Sequence, residues 1–146
     1  ELKINTIWLN SNLDAGNDGI SKSIRTFISK KNNTNIKFFK SLPIEMLAPL
    51  LKNSLCIVGN SSSGIRESSF LGTYSVNIGT RQNNRELAKN VISVDNNKKD
   101  IKSEIKKQIE KKPLKKSILY GDGNAGKKIA NTILKISVGP QKKITY

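Results

Sequence analysis

The chain contains no histidine, and its 146 residues include only one cysteine and 11 acidic residues. The absence of histidine excludes a serine–histidine–aspartate triad and every metal site built on histidine. Because the acidic residues are scattered, no pair of carboxylates is arranged for acid–base catalysis. The sequence also has no CxxC pair, no Walker-A loop and no GxGxxG motif. We therefore predict neither a bound metal nor a cofactor.

The single cysteine, Cys56, lies within the apolar run 55–58. One cysteine excludes a disulfide framework within the chain and fits a reducing compartment. No neighbour is suited to lower its pKa, so we expect a small core residue and not a reactive thiol. The sequence also lacks a signal peptide and an apolar run of the roughly 18 residues that a membrane span requires. These absences predict a cytoplasmic protein with no membrane partner.

Charge of one sign is in excess, with a formal net charge of +15 at pH 7. Such a charge raises nucleic acid as a partner, but aromatic residues make up only 5% of the chain and no stacking platform is evident. The lysines are spread along the chain, which favours a solvated surface. Three of the four arginines, Arg66, Arg81 and Arg85, fall within twenty residues. Arginine is suited to bidentate contacts with phosphate, so this segment is a candidate anion site.

Short apolar runs alternate with segments of helical periodicity, which predicts an α/β fold with a parallel sheet and helices on both faces. We expect a Rossmann-like three-layer domain over 1–138 and a polar tail over 139–146, with the composition of a disordered segment. The predicted strands are 4–9, 36–39, 55–58, 74–78 and 91–94. The predicted helices are 18–31, 43–52, 65–71, 101–109 and 125–136, the last capped by Asn124. Because 55–58 is apolar throughout, we expect a fully buried strand there.

A loop of small residues, 59–64, joins the strand at 55–58 directly to the following helix. At a helix N-terminus the first amide groups lack partners and the dipole is positive, which favours a phosphate or diphosphate. Gly59 and Gly64 permit a tight turn and close approach of a ligand, and the serine hydroxyls add donors. The alternative is a capped helix with no ligand. We call 59–64 the serine loop.

Three charged residues and one acidic turn residue bear on this choice. Glu67, near the first turn of the helix, is suited to accept hydrogen bonds from a ribose diol. Arg81 follows the next strand and should emerge at the same edge of the sheet as the serine loop. Arg66 either joins this site or forms a structural bridge to Glu86 or Asp95. Asp14, after the first strand, is either a turn residue or a ligand contact.

Four segments resemble the UDP-N-acetylglucosamine 2-epimerases. They are Gly-Asn-Ser-Ser-Ser-Gly-Ile-Arg-Glu at 59–67, Asn-Ile-Gly-Thr-Arg-Gln with a later arginine at 77–85, Tyr-Gly-Asp-Gly-Asn-Ala at 120–125 and Asn-Leu-Asp-Ala-Gly at 12–16. Their order and spacing are similar to the C-terminal domain of the hydrolysing branch, which supplies sialic-acid and related nonulosonate pathways. In the order typical of the family, the four segments are spread over 12–125, which is most of the chain.

The resemblance implies the C-terminal half of a glycosyltransferase-B-type fold, with UDP between two Rossmann-like halves. It implies that Ser61 and Ser62 hold the diphosphate, Glu67 binds the ribose, Arg81 lines the nucleotide-sugar site and Leu42 lies against the uracil. The supporting positions are Asn60, Ser63, Gly64, Gln82, Arg85 and Asp14. The implied reaction is anti-elimination of UDP to a glucal, followed by hydration to a free sugar such as N-acetylmannosamine.

The implied partners are a UDP-sugar, the N-terminal domain of the same enzyme and further copies of a homo-oligomer when the protein is full length. The essential carboxylates of the family lie in the other half, so we expect this chain alone to be inactive. Three positions depart from the family pattern. Asn10 occupies a position that is histidine in some relatives, Asn84 replaces a glycine and Tyr74 replaces a proline. The alternatives are the donor-binding domain of a type-B glycosyltransferase and a basic nucleic-acid-binding module.

Overall fold

A computed structural model describes residues 2, 4–10, 17–30 and 35–137. The expectations for Asp14, for the motif at 12–16 and for the tail at 139–146 fall outside these ranges. The chain divides into two compact units, Glu1–Pro49 and Leu50–Tyr146. The single domain expected over 1–138 stays a prediction. In both units the strands are parallel and alternate with helices, so the predicted α/β fold is confirmed.

The first unit contains a parallel pair of strands, β1 (Thr6–Leu9) and β2 (Ile36–Phe39), connected through helix α1 (Asn17–Lys30). Trp8 and Phe38 are register partners, and their rings stack with centroids 5.6 Å apart. The ring of Phe27 from α1 lies 6.4 Å from that of Trp8. Parallel strands joined by a helix place the helix over the sheet, and these aromatic contacts form the packing between them.

Helix α2 (Ile44–Asn53) begins directly after Pro43, whose carbonyl accepts from the amides of Met46 and Leu47 at 3.0 and 2.9 Å. A proline at the start of a helix loses nothing, because the first amides have no partners inside the helix. Pro49 lies within the helix and removes one internal hydrogen bond. The boundary between the two units falls at this proline.

The second unit is a three-stranded parallel sheet in the order β3 (Cys56–Gly59), β4 (Tyr74–Ile78) and β5 (Val91–Val94). Helix α3 (Glu67–Leu71) connects β3 to β4, and α4 (Lys98–Ile109) follows β5. Helix α5 (Ala125–Ile133) ends three residues before the predicted limit. The bounds of β2, β4 and β5 are those predicted from the sequence.

The core of this unit lies around β4, because a central strand has neighbours on both edges. Tyr74, Ser75, Val76 and Asn77 are all buried, with Val76 completely inaccessible. Ile65, between the serine loop and α3, is equally inaccessible. Two of the four buried positions in β4 are polar, so the sheet is stabilised by internal hydrogen bonds as well as by apolar contact.

The expectation that 55–58 is a fully buried strand is wrong. β3 is the edge strand of the three-stranded sheet, and Val58 is 44% exposed. Leu55, just before the strand, is 63% exposed. A short apolar run does not distinguish an edge strand from a central one, since the position in the sheet depends on the rest of the chain.

Two helix ends are set by local chemistry. Gly72 ends α3 in the left-handed conformation, with φ +74°, as its position in the sequence predicted. A β-carbon there would also collide with the carbonyl oxygen of Leu114. Asn97 begins α4, and its side chain accepts from the amides of Lys99 and Asp100.

Asn124 stands at the predicted N-terminus of α5 but makes no capping hydrogen bond, so this part of the prediction is wrong. Just before the helix, Asp122 Oδ1 accepts from the Asn124 amide at 3.0 Å and closes a local turn. Its Oδ2 pairs with Lys128 Nζ at 2.8 Å. The hydrogen bond from Lys128 holds the pKa of the Asp122 carboxyl at about 2, well below its usual value.

Candidate functional site

The serine loop leaves β3 at Gly59, whose φ of +144° is a conformation that side chains rarely adopt. A 3-10 turn at Ser62–Gly64 follows. Ser61 caps this turn, with its hydroxyl oxygen accepting from the Ser63 amide at 3.3 Å. Ser61 is exposed, and the next two serines are half-buried. The loop therefore presents hydroxyl groups at the end of a strand, in the place where the sequence predicted them.

Gly64 is required for a different reason from the one expected. It is buried, and a β-carbon at this position would lie 2.7 Å from the Oγ of Ser75 in β4. Its backbone φ lies outside the left-handed region, so a tight turn is not what demands glycine. Gly64 lets the serine loop pack closely on the central strand, and only Gly59 is needed for its conformation.

The predicted helix over 65–71 is divided. Arg66 precedes α3, which contains only Glu67–Leu71, and the Arg66 amide donates to the Ser62 carbonyl at 2.9 Å. Glu67 is the first residue of α3 and is exposed. Ser68 is buried, and its hydroxyl donates to the Gly64 carbonyl at 2.7 Å. Side-chain hydrogen bonds back along the chain therefore join α3 to the end of the serine loop.

A second loop, 79–90, connects β4 to β5 without regular secondary structure. Arg81 and Arg85 on it are exposed, whereas Gln82 between them is only 6% exposed. Gln82 Nε2 donates to the carbonyl oxygen of Asn60 at 2.8 Å. The structure thus joins the two loops that follow neighbouring strands, and it does so through Gln82, which the sequence placed only among the supporting positions.

Asn90 closes this loop within a buried hydrogen-bond network and is itself only 4% exposed. Its Oδ1 accepts from the hydroxyl of Ser69 at 2.9 Å. Its Nδ2 donates to the hydroxyl of Ser68 at 3.0 Å and to the carbonyl of Thr73 at 2.7 Å. A fully satisfied buried amide is a strong positional constraint, so Asn90 attaches the end of the loop to α3 and to the start of β4.

Tyr120 contacts the middle of the same loop, and Arg66 contacts Tyr120. The hydroxyl of Tyr120 donates to the backbone carbonyl of Glu86. The guanidinium of Arg66 lies over the ring of Tyr120, 5.9 Å from its centroid. Neither carboxylate that could have formed a structural bridge with Arg66 is paired with it in the part of the chain that the structure describes. The structure therefore gives Arg66 an aromatic partner.

In the first unit, Asn10 lines a pocket of about 240 Å³ at the carboxyl ends of β1 and β2. The backbone amide of Asn10 donates to the backbone carbonyl of Phe39 at 3.0 Å. The remaining walls come from Trp8, Ile24, Phe38, Phe39 and Lys40. Leu42 follows two residues after Lys40 and is half-buried. The pocket combines aromatic walls with one amide and one ammonium group.

Cys56 is half-buried, and burial raises the pKa of its thiol to about 11. Desolvation disfavours the thiolate, so the expectation of an unreactive cysteine is confirmed. Across residues 4–10, 17–30 and 35–137, no group of three potential metal ligands occurs. Within the same described ranges, no helix has the length and apolar character to cross a membrane.

A family model described as UDP-N-acetylglucosamine 2-epimerase matches residues 2–134. The chain belongs to this epimerase family. The resemblance seen in the four sequence segments is therefore confirmed at the level of the family.

Two members of the epimerase family are similar in sequence to large parts of this chain. The UDP-N-acetylglucosamine 2-epimerase of Neisseria meningitidis serogroup B is 37% identical over 97 residues, which is 66% of this chain and 25% of that protein. The UDP-N,N'-diacetylbacillosamine 2-epimerase (hydrolyzing) of Legionella pneumophila is 34% identical over 122 residues, or 84% of this chain and 32% of that protein. The chain thus spans between a quarter and a third of the length of these relatives.

One of the three departures from the family pattern has a structural explanation. Asn84 adopts φ +64°, the left-handed conformation that explains why glycine is usual there. Asparagine is among the few residues that tolerate it. Tyr74 begins β4 and is buried, with Lys111 Nζ 5.2 Å from its ring centroid. Nothing in the structure explains Asn10 beyond its place in the pocket wall.

The residues that organise the epimerase-family loops were the ones that sequence reasoning missed. Asn90 and Tyr120 were given no role, and the importance of Gln82 was underestimated. One signal was present, since asparagine and glutamine beside apolar strands are candidates for buried amides. Their partners lie 17 to 34 residues away, so the contacts themselves could not be deduced from local pattern.

Proposed function

We propose that this chain is the UDP-binding, C-terminal half of a hydrolysing UDP-N-acetylglucosamine 2-epimerase. The observation that carries the proposal is the hydrogen bond between Gln82 and the Asn60 carbonyl. It joins the serine loop to the loop that bears Arg81. In parallel α/β sheets, ligands bind outside the carboxyl ends of the strands, and both loops leave neighbouring strands at that edge.

Each part of a UDP group has a chemically suitable residue in this proposal. Ser61 and Ser62 donate hydrogen bonds to the diphosphate, and Arg81 supplies positive charge to the nucleotide-sugar. Glu67, exposed at the start of α3, accepts hydrogen bonds from the ribose hydroxyls. For the uracil, the family resemblance implies Leu42. The family resemblance supports these assignments position by position.

The reaction that we propose has two steps. A base removes the proton from C2 of the sugar while the bond from C1 to the diphosphate breaks, which releases UDP and leaves a 2-acetamidoglucal. Water then adds across the double bond, with the hydroxyl at C1 and the proton delivered to C2 from the opposite face. The product is a free sugar epimerised at C2, such as N-acetylmannosamine.

The proton chemistry requires groups that this chain does not supply. No histidine is present, and Asn10 cannot act as an acid or a base near neutral pH. The match to only a quarter or a third of the relatives leaves most of such an enzyme outside this chain. We therefore place the catalytic carboxylates in an N-terminal half and the leaving-group site here. The word "hydrolyzing" in the name of the Legionella relative supports this branch.

Calorimetric titration of the 146-residue chain with UDP tests the proposal. We expect weak, saturable binding and no release of free sugar from UDP-N-acetylglucosamine. Failure to bind UDP would contradict the nucleotide site, and release of free sugar would contradict the division of labour between two halves.

Product analysis with the longer protein tests the reaction. N-acetylmannosamine or a related 2-epimer together with UDP is the expected outcome. Transfer of the sugar to an acceptor would instead indicate a type-B glycosyltransferase.

A further inference from the structure

Gln82 is an unusual residue for its position. Its neighbours on the loop, Arg81 and Asn83, are exposed, yet Gln82 is 94% buried. Its Nε2 donates to the Asn60 carbonyl, but its Oε1 is buried without a hydrogen-bond partner in the described part of the chain. A buried carbonyl without a hydrogen-bond partner destabilises a protein, because the lost hydration of the oxygen is not replaced. An apolar residue of the same shape would avoid this penalty, so stability alone does not account for glutamine here.

The acceptor of this hydrogen bond has a direct bearing on the serine loop. The Asn60 carbonyl and the Ser61 amide belong to one peptide unit, and the described residues contain no cis peptide bond. In a planar trans peptide the C=O and N–H bonds point in opposite directions. Because the buried Gln82 holds the carbonyl towards the interior, the Ser61 N–H is directed outward, where both Asn60 and Ser61 are exposed.

The hydroxyl of Ser61 is already engaged with the backbone, since its oxygen caps the Ser63 amide. The Ser61 N–H is therefore a second donor whose direction is fixed before any ligand arrives. A hydrogen bond to the carbonyl of a peptide also polarises its N–H group and strengthens it as a donor. Fixed, outward-facing amides are suited to the oxygens of a phosphate.

We propose that Gln82 is a positioning residue, which holds the Asn60–Ser61 peptide so that the Ser61 N–H donates to the diphosphate. This inference rests on the proposed function, because it assigns a donor within the same UDP site. It predicts that a substitution at Gln82 lowers the affinity for UDP while the stability of the fold stays nearly unchanged. If Gln82 had only a structural role, its substitution would mainly lower the stability of the fold.

The main test replaces Gln82 by methionine, which keeps the length of the side chain and removes both polar atoms. We expect UDP to bind about tenfold more weakly, which corresponds to about 1.4 kcal/mol. The thermal midpoint should stay within about 2 °C of the parent chain or rise, because the lost hydrogen bond is offset by removal of an unpaired acceptor. Gln82→Asn, too short to reach Asn60, should weaken UDP binding to a similar degree and serves if the methionine variant does not fold.

The matched control is Gln108→Met on α4. Gln108 is also buried, at 4% exposed, but its partners are Glu104 and Lys111 of its own segment. We expect this variant to bind UDP as the parent does. Equal affinity for UDP in the parent and in the folded Gln82 variants would overturn the inference and leave the proposed function intact. No UDP binding by the parent would overturn both.

The backbone amide of Ser61 gives a separate readout. In ¹⁵N-resolved spectra of the parent chain, titration with UDP should shift this resonance downfield as it forms a charge-assisted hydrogen bond. In Gln82→Met the shift should be reduced or lost, while Gln108→Met should retain it. An unchanged Ser61 shift in Gln82→Met would overturn the inference even if affinity falls.

Discussion

The two loops at the carboxyl edge of the second unit are held in place by different kinds of contact. The conformation of the serine loop is set mainly by its own residues, because Gly59 adopts a conformation that favours glycine and Ser61 caps the turn that begins at Ser62. Gln82 adds one contact from a distant part of the chain. The loop at 79–90 depends on distant residues. Its anchors, Gln82, Glu86 and Asn90, contact partners 17 to 34 residues away in the chain.

This difference bears on the proposed role of Arg81, which lies on a loop of twelve residues without regular structure. A flexible loop would lose conformational entropy when a ligand ordered it. Attachment at three points, two of them buried or partly buried, removes much of that freedom during folding. Arg81 and Arg85 therefore project from a backbone that is already fixed close to them. Contacts between neighbouring residues hold most of the serine loop, whereas polar contacts between residues distant in the sequence hold the loop at 79–90.

The largest effect is expected from breaking the long-range anchor at Asn90. Asn90→Ala removes three buried hydrogen bonds and leaves the Thr73 carbonyl without that donor. We expect a loss of about 3 kcal/mol in the free energy of unfolding, measured by urea denaturation. Trypsin should also cleave faster after Arg81 and Arg85 as the loop loosens. Asn83→Ala, at an exposed position of the same loop, is the control and should change stability by less than about 0.5 kcal/mol.

Equal stability and equal resistance to trypsin in Asn90→Ala and Asn83→Ala would contradict this prediction. That result would mean that the network around Asn90 does not hold the loop. Its position would then depend on the backbone of the neighbouring strands alone.

An intermediate effect is expected when the serine loop is disturbed at Gly64. Gly64→Ala brings a β-carbon within 2.7 Å of Ser75 Oγ, in a part of the core that is fully packed. Such crowding destabilises a protein by roughly 1–3 kcal/mol, and we expect about 2 kcal/mol in urea denaturation. Gly126→Ala in α5 is the control, because its β-carbon meets nothing within 4 Å. It should stabilise the helix by up to about 1 kcal/mol.

Equal behaviour of the two glycine variants would show that Ser75 moves aside without cost. The close packing of the serine loop on β4 would then not be what selects glycine at position 64.

The local half of this site could be predicted from the sequence, because its determinants are adjacent residues. The position of the serine loop is predicted by a strand, a glycine and a run of serines followed by a helix. This prediction needs no knowledge of the rest of the fold. The bounds of β4 and β5 followed in the same way from short apolar runs ending in polar residues.

The other half could not be predicted, because burial depends on position in the fold as well as on residue type. β3 is apolar throughout but lies at the edge of the sheet, while β4 contains Ser75 and Asn77 and is buried. Gln82 and Asn90 look like solvent-facing loop residues in the sequence. Their burial follows from partners in distant segments of the chain, and single-sequence patterns carry no information on such pairs.

The smallest effect is expected where loop 79–90 does rely on a local feature, the left-handed backbone of Asn84. Asn84→Gly relieves residual strain at φ +64° but increases the freedom of the unfolded chain, and these two effects nearly cancel. We expect a change of less than about 0.5 kcal/mol in the free energy of unfolding. Asn84→Ala, which lacks the tolerance of asparagine for this conformation, should be less stable by about 1 kcal/mol. If alanine proved as stable as glycine, the left-handed position would not explain the family's glycine, and the long-range anchors alone would determine the path of the loop.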